Sequence, residues 1–375
     1  MENLYCPMIH GGLNITLKNV TGDLEFNQCC LSTTPLNAAD SYGKIWDHAE
    51  LLSLRQQNKN NIWDKGCWQC ERIENSGGVS FRKSLIDKFG IKDHLSGPQR
   101  IDLLFDRSCN LACIYCGPEN STYWQKYKKD NNMPQKIKFV NKTTRTKIYE
   151  FLNKINLENI GQIQFCGGET LLGNTYLETA KFISEIIPEK AKNKFELTFQ
   201  TNGTQPWRDE FYEIFERFQL VKIDISLDCV GQRFEYSRWP ASWTQVTENI
   251  LEIREKSPPN VMFLFQEVAT NMSLYYIGEN ELWIKNNFND NRVTDPTTYN
   301  LQLVKSRYLD VNNITTEYVE AIQNKKVFNY LQPNWQENPE KINAFLKDVT
   351  LHDSIRGLDW KKTYPEVAGF FTRYI

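Results

Sequence analysis

The chain has 375 residues, 44 Lys and Arg against 46 Asp and Glu, and a formal net charge of −2. With 40% hydrophobic and 24% charged residues it has ordinary globular composition, which argues against disorder. The near balance of charge leaves no reason to expect nonspecific binding to nucleic acid or membrane.

The opening MENLYCPMIHGG has neither a basic n-region nor an apolar h-region. No apolar run approaches the ~20 residues that span a bilayer. A soluble, cytoplasmic chain is therefore expected, long enough for one large domain with an appendage or for two. Residues 1–97 differ from the rest. The short strand-like runs GGLNITL and GDLEFNQCC precede a helical pattern, AELLSLRQQ, and then GCWQCERIENSGG. From residue 98 strand-like runs alternate with helices. The strands are RIDLLFD, QIQFC, FELTFQ, LVKIDISLD, VMFLFQEV and NLQLV; the clearest helices are RTKIYEFLNKI, TYLETAKFISEII and RDEFYEIFERF. In the second helix Leu177, Ala180, Ile183 and Ile187 share one face. Such alternation predicts an α/β fold, a partial (β/α)6 TIM-type barrel over residues 98–310. A small cysteine-rich amino-terminal domain (1–97) and a helical carboxy-terminal cap (311–375) complete the expected organisation, the last from TEYVEAIQ, PEKINAFLKDV and YPEVAGFFTRY.

The ten cysteines fall mostly in tight clusters, which in a reducing compartment point to metal ligation rather than disulfides. Cys109, Cys113 and Cys116 lie in DRSCNLACIYCGPEN, directly after the first barrel strand, where barrel-type sheets carry their chemistry. Three thiols with no neighbouring histidine leave a structural zinc site one ligand short. A four-iron cluster held by three cysteines keeps one iron open to an external ligand.

C-x3-C-x2-C after a first barrel strand, with an aromatic (Tyr115) before the last cysteine, resembles the signature of radical S-adenosylmethionine (radical SAM) enzymes. The resemblance implies a [4Fe–4S] cluster whose open iron binds the methionine part of the cofactor. It also implies reductive cleavage to a 5′-deoxyadenosyl radical that abstracts a substrate hydrogen. FCGGET resembles the family's GGE motif, so Gly167, Gly168 and Glu169 are expected to receive the cofactor's amino group. TNGT resembles the turn that brings Asn202 near the cofactor, and ISLD the strand end whose Ser226 and Asp228 lie near the ribose. Arg238 resembles an arginine that pairs with the methionine carboxylate, a task suited to its fork of donors.

Cys6, the Cys29/Cys30 pair, Cys67 and Cys70 resemble the auxiliary-cluster modules called SPASM and twitch, here placed before the barrel instead of after it. Four thiolates from Cys6, Cys30 (or Cys29), Cys67 and Cys70 would complete a second [4Fe–4S] cluster; zinc suits the same ligands. Cys166 and Cys229 end strands, and Cys229 is a candidate hydrogen-atom donor, with a buried structural thiol as its alternative. The reading is an enzyme that modifies a peptide or protein by oxidation, cross-linking or epimerisation, with an external electron donor such as flavodoxin or ferredoxin. The alternatives are a radical SAM dehydrogenase of a small molecule or carbohydrate, a methylthiotransferase-like RNA modifier, and a non-enzymatic zinc-stabilised interaction protein.

Overall fold

The computed structural model describes residues 4–17, 23–32, 35–36, 42–75, 77–92, 95–134, 144–288, 292–293, 300–303, 308–323, 331 and 335–375. One sheet organises them. Its strands are β1 (Gly12–Leu17), β2 (Leu24–Asn27), β3 (Arg100–Leu104), β4 (Gln162–Phe165), β5 (Glu196–Thr201), β6 (Leu220–Ser226), β7 (Val261–Ala269) and β8 (Asn300–Leu303). They lie in the order β2-β1-β3-β4-β5-β6-β7-β8. All neighbours are parallel except the β1–β2 hairpin.

The six strands expected from residue 98 onward are β3 to β8, in sequence order, joined by helical crossovers. The amino-terminal hairpin is different from expectation: β1 pairs with β3 in register Asn14–Asp102, so it extends the barrel's sheet. Alternation along each strand divides residues between two faces. Ile101, Leu103, Ile163, Phe165, Leu197, Phe199, Ile223 and Ile225 are buried against the crossover helices, including the Leu177, Ala180 and Ile183 face of Thr175–Ile186.

The opposite, inner face is polar. Asp102, Gln164, Thr198 and Lys222 follow one another across β3–β6, and Gln200 pairs with Asp224. Buried polar groups need partners, and here they find each other. Gln162 donates to Glu196 at 2.6 Å, Arg100 Nε to Asp102 at 2.7 Å, Gln200 to Gln266 at 2.8 Å and Gln266 to Asp224 at 2.5 Å. The amino-terminal segment docks onto this face. Lys88, on helix Phe81–Phe89, reaches Glu196 at 2.8 Å, and the Arg100 guanidinium lies 5.4 Å from the Phe81 ring centre.

Helices Thr316–Ile322, Pro339–Arg356, Trp360–Thr363 and Pro365–Phe370 build a second core around Ile342, Phe345, Trp360 and Tyr364. That core meets Cys229, Tyr236, Ala269 and Met272 near the carboxyl ends of β6 and β7. Among the described residues no helix is long and apolar enough to cross a membrane.

Candidate metal and cofactor site

The loop leaving β3 is fixed through its backbone. Asp106 Oδ1 accepts from Ser108 N at 2.8 Å, and Thr122 Oγ1 both accepts from Cys109 N and donates to its carbonyl, each at 3.0 Å. Ser121 Oγ donates to the Leu111 carbonyl at 2.6 Å and caps helix Thr122–Asp130. Ala112 and Ile114 N–H groups donate to the carbonyls of Trp239 and Ser237 at 2.7 and 2.9 Å. Trp124 Nε1 donates to the Cys113 carbonyl at 2.9 Å, and Arg356 Nη2 to the Ala112 carbonyl at 3.0 Å. A backbone held at so many points presents its three thiols from a fixed frame.

Burial first, then the neighbouring Cys113, push the Cys109 thiol up to about 12. Burial, then Cys113 and Cys109, raise Cys116, and burial raises Cys113. Three thiols near enough to oppose one another's ionisation resist becoming thiolates unless a cation meets them. Iron ligation supplies that cation, so the donor set fits a cluster with three protein ligands. Among the described residues no three His, Cys, Asp or Glu converge on one point as ligands of a single ion do. A cluster instead takes one thiolate per iron, at separate corners.

The turn after β4 packs onto this loop. Gly167 and Gly168 have φ of +84° and +51°, the left-handed region that favours glycine. A Cβ on Gly168 would stand 2.4 Å from the Ser108 carbonyl oxygen. The Glu169 N–H donates to that same oxygen at 2.7 Å. The buried Glu169 carboxylate accepts from Leu171 N at 3.0 Å, Thr201 Oγ1 at 2.7 Å and Asn202 N at 2.6 Å. Burial nevertheless raises its pKa. With three of about four acceptor sites filled, it retains room for one more donor, such as an amino group. Asn202 Nδ2 lies 3.9 Å from Cys109 Sγ, and 3.2 Å from Asn110 Oδ1. Glu169, Asn202 and the thiol loop are thus one assembly.

Asp228 and Arg238 are brought together, but with each other. Arg238 Nε stands 2.8 Å from Asp228 Oδ2, and Nη2 donates to Oδ1 at 3.1 Å. The carboxylate also accepts from Tyr115 OH at 2.6 Å and Val268 N at 2.9 Å. Asp228 thus carries three hydrogen bonds, from Arg238 Nη2, Tyr115 and Val268, beside the Nε contact, and the Arg238 guanidinium faces a protein carboxylate. Tyr115, to which the sequence assigned no side-chain role, ties the thiol loop to the end of β6. Ser226 is half-buried and pairs across to Gln266. Cys229 lies in the second apolar core with Tyr236 and Met272, and burial raises its thiol far above the ordinary value. This is the setting of a packing thiol.

A second thiol site lies in the amino-terminal segment. A cavity of about 510 Å³ of atom-free space, counted to where it meets solvent, is lined by Cys6, Cys29, Cys67 and Cys70 together with Met8, Asn58 and Arg82. The Cys67–Cys70 spacing spans the entry to helix Trp68–Asn75, where Asp64 caps the preceding turn at 2.8 Å from Gly66 N. Burial, then the charges of neighbouring groups that include Cys70, push Cys67 up to about 12; Cys6 is raised as far, by burial and by Cys67. Leu31 N–H donates to Cys29 Sγ at 3.4 Å. Cys30, favoured over Cys29 on sequence, is not in the lining. Cys30 is half-buried, beside Cys29 and near Asp102 and Arg100, and Cys166 lies near the same Asp102, Cys30 and Arg100. The pair lies in the turn after β2, where the Ser32 N–H donates to the Cys29 carbonyl at 3.1 Å, and of the two only Cys29 lines the cavity.

Residues 103–282 match the family model of the Radical SAM superfamily. A 7-carboxy-7-deazaguanine synthase of Methanocaldococcus jannaschii is 31% identical over 130 residues, covering 34% of this chain and 46% of the relative. Among solved structures, native anSMEcpe with bound AdoMet is 17% identical with a TM-score of 0.39, covering 69% of this chain and 62% of that one. SuiB of Streptococcus suis bound to S-adenosylmethionine is 13% identical with a TM-score of 0.38, covering 88% and 64%. The chain thus spans about half the length of the curated relative and under two thirds of either solved chain. Residues 103–282, which hold the three-thiol loop, the glycine pair and Glu169, are a radical SAM superfamily domain, the domain of enzymes that use a [4Fe–4S] cluster and S-adenosylmethionine.

Proposed function

We propose that this chain is a radical SAM enzyme with a second [4Fe–4S] cluster in its amino-terminal cavity, acting oxidatively on a peptide or protein. The observation that carries the second cluster is the cavity lined by Cys6, Cys29, Cys67 and Cys70. Four thiols with no histidine among them suit a closed cluster, which could take up the electron a substrate radical loses. Cys29 is the fourth ligand on this reading, supported by the N–H donated to its sulfur from Leu31.

Bound cluster and S-adenosylmethionine supply the hydrogen-atom abstraction. The chain's residues supply the frame. Cys109, Cys113 and Cys116 hold the cluster; Glu169 keeps one acceptor for the cofactor's amino group, and Asn202 stands beside the Cys109 sulfur. The Tyr115–Asp228–Arg238 unit holds the loop at its working position. The inner face, with Gln200 and Ser226 half-buried toward the carboxyl ends of the strands, is the proposed substrate chamber. An external flavodoxin or ferredoxin is the proposed reductant, and a reducing compartment suits ten free cysteines. The peptide class rests on the likeness of the cysteine layout to SPASM and twitch modules. The identity shared with a deazaguanine synthase favours a second reading, a nitrogen heterocycle as substrate.

Two experiments test this. Anaerobically reconstituted chain should hold about eight irons, falling to about four in Cys29→Ser and in the Cys109/Cys113/Cys116→Ala triple variant, with Cys30→Ser unchanged. Zinc in the cavity, or iron lost from Cys30→Ser and not from Cys29→Ser, contradicts it. Perdeuterated peptide mixtures should then pass deuterium into 5′-deoxyadenosine. Label arriving only from deuterated purines or pterins selects the heterocycle reading.

A further inference from the structure

Arg356 ends helix Pro339–Arg356 and is 9% exposed. Its guanidinium carbon lies 5.2 Å from the ring centre of Trp124 and 5.1 Å from those of Tyr127 and Trp239. Nη2 donates to the Ala112 carbonyl, between the first and second cysteines of the thiol loop. Nε and Nη1 are buried without a hydrogen-bond partner, and among the described residues no carboxylate stands within 4.0 Å of this side chain. Its acidic neighbours have other duties or distances. Asp353 accepts from Tyr236 OH and Trp360 N, each at 2.7 Å. Asp348 and Asp353 both act on Arg356, but from beyond 4.0 Å, and the neighbouring His352 is held neutral.

A buried cation without a counter-charge is costly. Ring faces and the negative end of a helix recover part of that cost. The remainder calls for an anion, and one is close. Ala112 is the residue before Cys113, and Trp124, whose ring the guanidinium faces, donates to the Cys113 carbonyl. Arg238 is paired with Asp228, whereas Arg356, beside the same loop, has no carboxylate within 4.0 Å among the described residues. A four-iron core of two positive charges held by three thiolates sums to one negative charge, and reduction adds a second.

We infer that Arg356 is a positioning residue that sets the reduction potential of the cluster held by Cys109, Cys113 and Cys116, its caged guanidinium favouring the reduced cluster while pinning the loop through Ala112. The carboxy-terminal helices thereby act on the redox centre, which gives residues 339–356 a role beyond covering the barrel. The inference rests on the radical SAM reading of the three-thiol site.

The test is an EPR-monitored redox titration of the full reconstituted chain, following the signal that responds to S-adenosylmethionine, with iron content and thermal midpoint read in parallel. Arg356→Gln keeps a donor for Ala112 and removes the charge; Arg356→Lys keeps the charge. The expected result is a midpoint shifted to more negative potential in Arg356→Gln and one near wild type in Arg356→Lys. If Gln loses its iron while Lys keeps both iron and midpoint, the charge requirement also stands. An unshifted Gln midpoint, equal shifts in Gln and Lys, or iron lost from both overturns the inference. A wild-type chain that assembles no cofactor-responsive cluster fails at the earlier step, the radical SAM reading itself.

Discussion

Gly168→Ala is the sharpest probe of how the β4 turn seats the cluster loop. Two costs are expected. A residue with a Cβ at φ +51° bears left-handed strain of about 1–2 kcal/mol. The new methyl group would also stand 2.4 Å from the Ser108 carbonyl oxygen and 2.9 Å from the Arg107 carbonyl carbon. Both neighbours are backbone of the thiol loop and cannot swing aside, so crowding adds about 1–3 kcal/mol. Gly173→Ala is the control: φ is +79° and nothing lies within 4 Å of its Cβ. It bears the strain alone, and the entropy that alanine removes from the unfolded chain is common to both variants. Urea unfolding followed by circular dichroism should therefore place Gly168→Ala about 1–3 kcal/mol below Gly173→Ala, with reduced iron retention only in the former. Equal destabilisation and equal iron would refute the claim that the glycine pair is required by contact with the loop.

Asp228→Asn leaves the Arg238 guanidinium buried without its counter-charge and should cost about 3–5 kcal/mol, measured in the same unfolding assay. Tyr115→Phe removes one hydrogen bond to a charged acceptor and should cost about 1.5–3 kcal/mol; a larger loss than for Asp228→Asn would contradict the ordering. Burial, then the Arg356 charge, lowers His352 from 6.5 to about 4. Between those values the unfolded chain binds a proton that the folded chain refuses, so this contribution is complete above pH 6.5 and is lost as pH falls toward 4. His352→Gln should flatten the stability profile over that window by up to about one proton, and an unchanged slope would place the acid sensitivity elsewhere.

Much of the barrel was legible because its strands alternate cleanly and its crossover helices carry one apolar face. The Leu177, Ala180 and Ile183 stripe and the six parallel strands follow from that periodicity alone. The pairing of β1 with β3 did not, because GLNITL reads as a half-buried strand whatever its partner, and partnering is a tertiary fact. The cysteine spacings located both thiol sites. They could not separate Cys29 from Cys30, since both lie in the turn after β2 and the path of that turn decides which thiol faces the cavity. Asp228 and Arg238 stood out in the sequence, but their mutual pairing and the third partner, Tyr115, come from segments that meet only in space. Arg356 carries no local signal at all: it ends an ordinary helix 244 residues after the carbonyl it binds.

The central claim is that the three-thiol loop holds an iron–sulfur cluster with one open iron. Its most direct test is EPR of the dithionite-reduced, anaerobically reconstituted wild-type chain before and after S-adenosylmethionine is added. The account predicts that one cluster's signal changes on addition, and that this response disappears in the Cys109/Cys113/Cys116→Ala variant while the remaining signal persists. A fully loaded chain whose spectrum ignores the cofactor, or a chain that takes up zinc and no iron, would contradict it.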